Sequence, residues 1–534
     1  MKYVLTQKEM QDSDANTTNT FQVPSMILME RAALSVIEAI KQDVWQKSEW
    51  ETLQSKEEDV RRKLQGCLKT ASVLVVCGSG NNGGDGFAVA RLLIEQNHNR
   101  KLTVLFAGDS EHMTESCQRQ RDIFLQYASQ RNQVEIVTDW PNFSYDIVID
   151  ALFGIGLNRD ITGKYQELIK QMNSAKAYKV ALDIPSGIHA DTGQVLKIAF
   201  LAHLTVTFAF LKRGQLLFPG RTYSGRIVAA QIGITKDSFL GMAPKGFCYE
   251  NGDIKSLTKR RPDGNKGSFG KVSIFAGSSQ MGGAAVLSAM AAYRMGSGYV
   301  RLFTHANNRS ELLKEMPEVV YSVYEDADSV DKRLKEAVSV YEQGSVALIG
   351  PGIGKDDWAK QLVERIIRRD EKPLLIDADA CNIIAESEAL MEWLISTAST
   401  RKFPIVMTPH LMEFARLSKT ALETIQEDVV SYGVSFAKKT GVILICKDAC
   451  TVVANPVGTV YFNNSGNEGM ATAGCGDVLS GIVASLLGQE QEAYFAACMG
   501  VFLHGLCGDQ ATEKTNARFV VASDLIQNLS SILV

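Results

Sequence analysis

Twelve short apolar runs, separated by stretches of helical pattern, constrain the fold of this chain more than any other feature. Five fall in the first half, at 73–76, 102–106, 146–152, 180–184 and 204–208. Seven follow, at 271–275, 299–303, 346–349, 374–376, 405–407, 442–446 and 451–454. Runs this continuous are buried on both faces, as happens in a parallel sheet covered by helices on either side. Helical patterns at 26–40 and 87–95 accompany the first series, and others at 285–295 and 477–487 accompany the second. Each series therefore predicts its own α/β sandwich. Between them, 234–263 carries Met242-Ala243-Pro244-Lys245-Gly246 and the basic run Lys259-Arg260-Arg261-Pro262, and reads as a linker. The expected domains are 1–235 and 245–534, with a boundary near 240. No internal repeat is present, so the halves read as a fusion and not a duplication. The charged, weakly patterned stretch 41–69 reads as one or two exposed helices or an insertion.

The bulk numbers exclude several classes. A chain of 534 residues, 45% hydrophobic and 22% charged, is long enough for each half to bury a core. A formal net charge of -4 argues against a dedicated binder of nucleic acid or anionic membrane. The ten cysteines are scattered, with no C-x-x-C pair and no zinc-type spacing, as expected of reduced core thiols. The first residues hold no apolar secretion core, and the apolar segment 494–506 is short and carries His504. A cytoplasmic protein is expected.

Two glycine-rich turns join these strands to helices. The first, Cys77-Gly78-Ser79-Gly80-Asn81-Asn82-Gly83-Gly84-Asp85-Gly86, follows the run at 73–76. Free backbone N–H groups at such a strand-to-helix turn can hold a phosphate. Asp85 would bind a ribose hydroxyl or cap the helix; as a plain turn, it would be an N-cap only. Asp150 and Asp183 end two further strand runs, and ligands bind at the carboxyl ends of parallel strands. Loop capping is the alternative for both. The second turn, Asn467-Glu468-Gly469-Met470-Ala471-Thr472-Ala473-Gly474-Cys475-Gly476-Asp477, precedes a helical pattern. There Asp477 is either an N-cap or the base for attack of a hydroxyl on a nucleotide phosphate.

The sequences Gly-Ser-Gly-Asn-Asn-Gly-Gly-Asp-Gly at 78–86, Asp-Ala-Leu-Phe-Gly-Ile-Gly-Leu at 150–157 and Asp-Ile-Pro-Ser-Gly at 183–187 resemble the NAD(P)H-hydrate epimerases over about 1–235. The resemblance implies a Rossmann-like α/β/α sandwich. It implies that Asn81, Asn82, Gly83, Gly84 and Asp85 bind the hydrated dinucleotide, joined by Gly154, Ile155, Gly156, Leu157, Asn158, Arg159, Asp160 and Asp183. A potassium ion is implied at Asn82, Asp150 and Ser186. Asp183 is the expected acid/base for epimerisation at the hydrated ring carbon. The segment 212–220 fits the family as well.

Over about 245–534, Gly350-Pro351-Gly352-Ile353-Gly354, Asp377-Ala378-Asp379-Ala380, Thr408-Pro409-His410, Lys447-Asp448-Ala449-Cys450-Thr451 and Gly474-Cys475-Gly476-Asp477 are similar to the ADP- or ATP-dependent NAD(P)H-hydrate dehydratases. These are ribokinase-like α/β/α proteins. The likeness implies hydrate contacts at Ala284, Gly352, His410 and Asp477. It implies adenine-nucleotide contacts at Lys447, Asp448, Ala449, Cys450, Thr451 and Gly476, with Asp477 catalytic. Cys475 stands where members usually carry Thr or Ser. A thiol is a weak donor, so nucleotide affinity is the property this departure touches.

Together the likenesses imply a bifunctional nicotinamide-nucleotide repair enzyme. Its first domain interconverts R and S NADHX or NADPHX. Its second dehydrates the S form at the expense of ADP or ATP, with Mg2+ on the phosphates. A homo-oligomer with small-molecule partners only is expected. The alternative is a small-alcohol kinase, of the hydroxymethylpyrimidine or hydroxyethylthiazole kind, fused to a non-catalytic dinucleotide-binding module.

Overall fold

The computed structural model describes every residue except 46–63, 65–67, 69, 97–99 and 534. The chain divides into two compact units, Lys2–Gly246 and Phe247–Val534. Most of the stretch 41–69 lies outside the described residues. Its first residues complete a helix, Ser25–Trp45. No described helix is long and apolar enough to cross a membrane. The nine described cysteines are all buried and none is in a disulfide.

In the first unit seven strands form one parallel sheet. Their order is Val134–Val137, Leu102–Phe106, Val73–Cys77, Ile147–Ala151, Tyr178–Leu182, Leu204–Phe208 and Arg226–Ala230. The chain runs outward one way from Val73–Cys77 and then resumes on its other side. The switch point therefore lies between Val73–Cys77 and Ile147–Ala151, where such sheets open a crevice. This is the Rossmann-like order. All five residues of Val73–Cys77 and of Ile147–Ala151 are buried, the first strand wholly apolar and the second apolar but for Asp150. The edge strand Val134–Val137 has exposed residues and no such run, so its sequence carried no strand signal.

The helix read at 87–95 starts at Asn81 and ends at Gln96. The glycines explain the difference. A Cβ on Gly86 would lie 2.5 Å from Ala151 Cβ and 2.7 Å from Cys77 Sγ, so glycine lets the helix lie directly on the sheet. Asp85 is consequently no N-cap. It lies inside the helix and is buried.

The second unit carries a larger, mixed sheet. Seven parallel strands run in the order Val320–Tyr324, Tyr299–His305, Lys271–Phe275, Val346–Ile349, Leu374–Ile376, Ile405–Met407 and Ile443–Cys446. Val452–Ala454 and Val460–Phe462 continue it antiparallel. Two cores form, one on each face. On one face the helix Gly282–Arg294 crosses the helix Cys475–Gly488 so closely that a Cβ on Gly481 would lie 2.2 Å from the Ser288 carbonyl oxygen.

Gly481→Ala should therefore destabilise this unit by about 1–3 kcal/mol through overpacking, read as a lowered denaturation midpoint. Gly283→Ala, with no atom within 4 Å of its new Cβ, should be neutral or stabilise by up to about 1 kcal/mol.

Candidate active sites

The first site is a cavity of about 610 Å³ at the switch point of the N-terminal sheet. Gly78, Ser79, Gly80, Asn81, Asn82 and Asp85 line one wall. The loop residues Gly154, Ile155, Gly156, Leu157, Asn158 and Arg159 line another, with Asp183 at the end of the next strand. Gly83, Gly84 and Asp160 are not among the lining residues. Gly83 and Gly84 serve the packing instead: a Cβ on Gly83 would stand 2.0 Å from the Gly78 carbonyl oxygen.

Asp183 is held in an unusual way. Its φ of +64° puts it in the left-handed region just past strand Tyr178–Leu182. Three donors converge on Oδ1: the Lys212 ammonium, the Phe208 N–H at 3.0 Å and the Thr207 hydroxyl at 3.2 Å. Oδ2 takes no donor among the described residues and is the oxygen left for a ligand. Lys212 is fully buried. It is delivered by strand Leu211–Lys212, which pairs in parallel with Lys2–Leu5, Leu5 opposite Lys212. Burial pulls the ammonium below its ordinary range, and Asp183 opposes that pull. Sequence reading gave Lys212 no role.

Asp85 is buried and, among the described residues, takes no hydrogen bond. Burial first, then the charges of Asp183 and Asp14, push its carboxyl well above the usual range. Asp14, from the helix Gln7–Asn19, also lines the cavity and carried no signal in the sequence.

Below the glycine turn lies an oxygen-rich corner. Asp150 is fully buried and accepts from the Ser186 N–H and hydroxyl at 2.7 Å each and from the Leu152 N–H at 3.1 Å. Burial raises its carboxyl to about 6 against those bonds. Asn82 donates through Nδ2 to the Phe153 carbonyl at 3.0 Å, while its Oδ1 is buried with no partner. An orphaned carbonyl oxygen beside a carboxylate and a hydroxyl is a donor set that fits a hard monovalent cation.

The second site lies where strand ends of the C-terminal sheet meet. Gly474, with φ +92°, precedes the helix Cys475–Gly488, whose first N–H groups have no intrahelical acceptor. The helix starts two residues before the read position, so Asp477 sits inside its first turn and is not its N-cap. Gly352 and Ala284 adjoin: a Cβ on Gly352 would lie 2.9 Å from Ala284 Cβ. The Ser278 N–H donates to the Gly352 carbonyl at 2.6 Å, tying the two loops. His410 caps the helix Leu411–Ser418 in a capping box with Glu413, yet its side chain is half exposed. A backbone bridge sets His410 beside Lys447.

Lys447 reaches the cradle. Its Nζ lies 3.2 Å from where Gly476 would carry a Cβ, and donates to Asp377 at 2.9 Å. Burial lowers its ammonium, but the charge and hydrogen bond of Asp377 outweigh that and leave it raised. Asp448 and Ala449 are exposed at the tip of the turn and Thr451 is partly exposed. Cys450 is turned inward, its thiol donating to the Asn463 carbonyl at 3.3 Å, so only its backbone can face a ligand. Cys475 is likewise buried. Its carbonyl meets His504 Nε2 at 2.9 Å, and burial lowers that imidazole to about 4, which keeps it neutral. The thiol thus packs behind the cradle, and the N–H groups make its face.

Asp477 takes no hydrogen bond among the described residues. Burial and then Asp377 push its carboxyl up to about 7, with Lys447 opposing. The folded state therefore holds a proton on Asp477 that the unfolded chain has released. This favours folding most below about pH 4, and the contribution is lost as the pH rises to about 7. Asp477→Asn should melt close to the wild type at about pH 4 and clearly higher at about pH 8.

Comparison with known proteins follows the same two units. A family model described as NAD(P)H-hydrate dehydratase matches residues 272–531, and one described as YjeF-related protein N-terminus matches residues 25–214. The chain is 32% identical over 551 aligned positions to the bifunctional NAD(P)H-hydrate repair enzyme Nnr of Moorella thermoacetica, covering 99% of this chain and 96% of that one. It is 35% identical to the protein of the same name from Thermofilum pendens, over 86% of this chain and 87% of that one. For the Escherichia coli protein of that name the figures are 34%, 86% and 84%. Among solved structures, the ADP/ATP-dependent NAD(P)H-hydrate dehydratase from Bacillus subtilis, co-crystallised with ATP and Mg2+, is 27% identical with a TM-score of 0.47. It covers 53% of this chain and 96% of that one.

Proposed function

The chain belongs to the bifunctional NAD(P)H-hydrate repair enzymes, and from that membership we propose which of its residues carry each of the two reactions. The N-terminal unit is the NAD(P)H-hydrate epimerase and the C-terminal unit the NAD(P)H-hydrate dehydratase. The observation that carries the assignment of residues is the pairing, in each unit, of a glycine turn with a carboxylate oxygen unbonded among the described residues: Asp183 at the neighbouring strand end in the first, and Asp477 in the first turn of the helix that the turn opens in the second.

In the first cavity the turn at 78–82 receives the pyrophosphate on its backbone N–H groups. The loop 154–159 covers the dinucleotide. Asp183 presents Oδ2 to the hydrated ring carbon's substituents and moves the proton that epimerisation requires. Lys212 and the Phe208 N–H hold Oδ1, so the carboxylate cannot turn away. A potassium ion would be held by Asn82 Oδ1, the Asp150 carboxylate and the Ser186 hydroxyl. It would offset the buried Asp150 charge and brace the 78–86 and 153–156 loops against one another.

In the second site the hydrate lies over Gly352, Ala284 and His410. The nucleotide lies along the turn at 447–451, its terminal phosphate against Gly476 and the Lys447 ammonium. Asp477 takes the proton of the hydrate's hydroxyl as that oxygen attacks the phosphate. The bond from the ring carbon to that oxygen then breaks to release inorganic phosphate, and loss of a proton from the adjacent ring carbon forms the double bond that restores the reduced ring. ADP and ATP both fit this scheme. Magnesium would enter on the nucleotide phosphates and screen their charge. Among the described residues no group of three or more His, Cys, Asp or Glu side chains is placed to hold it independently.

The test supplies purified protein with mixed R and S NADH hydrate, ADP or ATP, magnesium and potassium, and follows the return of reduced-nicotinamide absorbance. Both epimers should be recovered in full; no recovery with either nucleotide overturns the proposal. Asp183→Ala should slow consumption of the R form about 100-fold or more while leaving S-form dehydration intact. Asp477→Asn should slow recovery of both epimers about 100-fold or more while leaving R/S interconversion, followed without nucleotide, intact. Ser186→Ala should raise the potassium concentration for half-maximal epimerisation about tenfold. It should also abolish the potassium-dependent rise in the unit's melting temperature.

A further inference from the structure

The motif Asp377-Ala378-Asp379-Ala380 has no part in the chemistry above, yet Asp377 is nearly inaccessible and lies beneath the phosphate cradle. It follows strand Leu374–Ile376. One oxygen, Oδ1, accepts from Lys447 Nζ at 2.9 Å. The other, Oδ2, accepts from the Ser480 hydroxyl. Ser480 lies three residues after Asp477 on the same helix, hence on the same face. A Cβ on Gly350 would stand 1.8 Å from the Asp377 carbonyl oxygen, so the 350–354 loop closes on this backbone and fixes it. The Lys447 ammonium is thus caught between a buried carboxylate and the first turn of the anion-binding helix.

An ammonium so close to Asp477 has two possible partners. If it paired with Asp477, that carboxylate would become a weak base and the phosphate would lose its cation. Instead it is bonded to Asp377. We propose that Asp377, oriented by Ser480, is a positioning residue of the phosphoryl-transfer site: it holds the Lys447 ammonium toward the incoming phosphate and away from Asp477. This rests on Asp477 being the base.

The charges around the pair agree. Asp477 is faced by Asp377 and Asp379 from one loop and by Lys447 from another, the first two raising its proton affinity and the third lowering it. Lys447 is also faced by Glu413 and the Cys381 thiol, both favouring its charged form. His410 is pulled down by burial and then by Lys447 and Arg416, so it adds no positive charge near neutrality. Asp377 is the group here bonded directly to the ammonium. Removing its charge should therefore release Lys447 toward Asp477 and make that base weaker.

The experiment measures single-turnover dehydration of the S hydrate from about pH 5 to 9, with magnesium and saturating levels of whichever of ADP or ATP the wild type uses. The wild type should show an acidic limb. Asp377→Asn should move that limb to lower pH by about one unit and lower the plateau rate about tenfold. Asp377→Glu, which restores the charge, should return the limb to its wild-type position. Lys447→Met, which leaves Asp377 uncompensated beside Asp477, should move the limb to higher pH by about one unit. A folded, active Asp377→Asn with an unmoved limb overturns the inference, as do limbs moving the same way in both variants. Should Asp377→Asn fail to fold, Lys447→Met decides alone: an unmoved or lowered limb overturns the inference. A wild type without turnover on either nucleotide overturns the dehydratase assignment itself, and this inference with it.

Discussion

A Cβ on Gly78 would stand 2.1 Å from the Leu152 carbonyl oxygen, and one on Gly350 would stand 1.8 Å from the Asp377 carbonyl oxygen. In each unit, neighbouring strand-end loops touch through backbone alone, and this closeness is what the rest of both sites depends on. It exposes N–H groups where a phosphate can reach them, and it brings residues from separate strands to one point. In the first unit it sets Asn82 against Phe153 and, through Phe153, against Ser186. In the second it sets Gly352 against Ala284. A side chain at either contact would force the loops apart and dissolve the crevice.

The two units solve the same electrostatic problem with the same device. Each buries a carboxylate and a lysine together at a strand end: Asp183 with Lys212, and Asp377 with Lys447. Such pairs gain little net stability, because both ions give up hydration. Their value lies in direction. Lys212 occupies Asp183 Oδ1 and leaves Oδ2 to the cavity. Asp377 occupies Lys447 and leaves Asp477 unbonded. In the first unit a lysine orients the carboxylate that faces the cavity, and in the second a carboxylate orients the lysine that reaches the glycine turn.

Much of this was legible from the chain. The apolar runs marked the buried strands, because a strand covered on both faces is mostly apolar, and the few polar residues inside it, such as Thr103 and Ser273, are hydrogen-bonded. Edge strands such as Val134–Val137 escaped, having one face in water. The glycine turns marked where strand ends meet helix starts: the first lines the N-terminal cavity and the second opens the helix Cys475–Gly488. The helix after the first turn was misplaced, because three glycines at 83, 84 and 86 argue against helix by propensity, while their packing against Gly78, Cys117 and Ala151 favours it. Of the two readings of Asp85, ribose contact or helix cap, the cap falls with the helix start, and the residue is a buried group facing the cavity.

The order of strand runs, the glycine turns and the carboxylates at strand ends are properties of the sequence, since local pattern alone decides which segments are buried and where the backbone can bend. Which charge meets which was decided only by the fold. Lys212 lies 29 residues from Asp183, and Lys447 lies 70 residues from Asp377. Nothing in either segment names its partner. Asp377 and Lys447 meet because parallel strands bring their carboxyl ends together in one sheet. Lys212 comes from a short strand outside the sheet whose edge carries Asp183, and is held over that edge by Thr207 and the Phe208 carbonyl. In both places distant residues become neighbours and a buried charge must find its opposite.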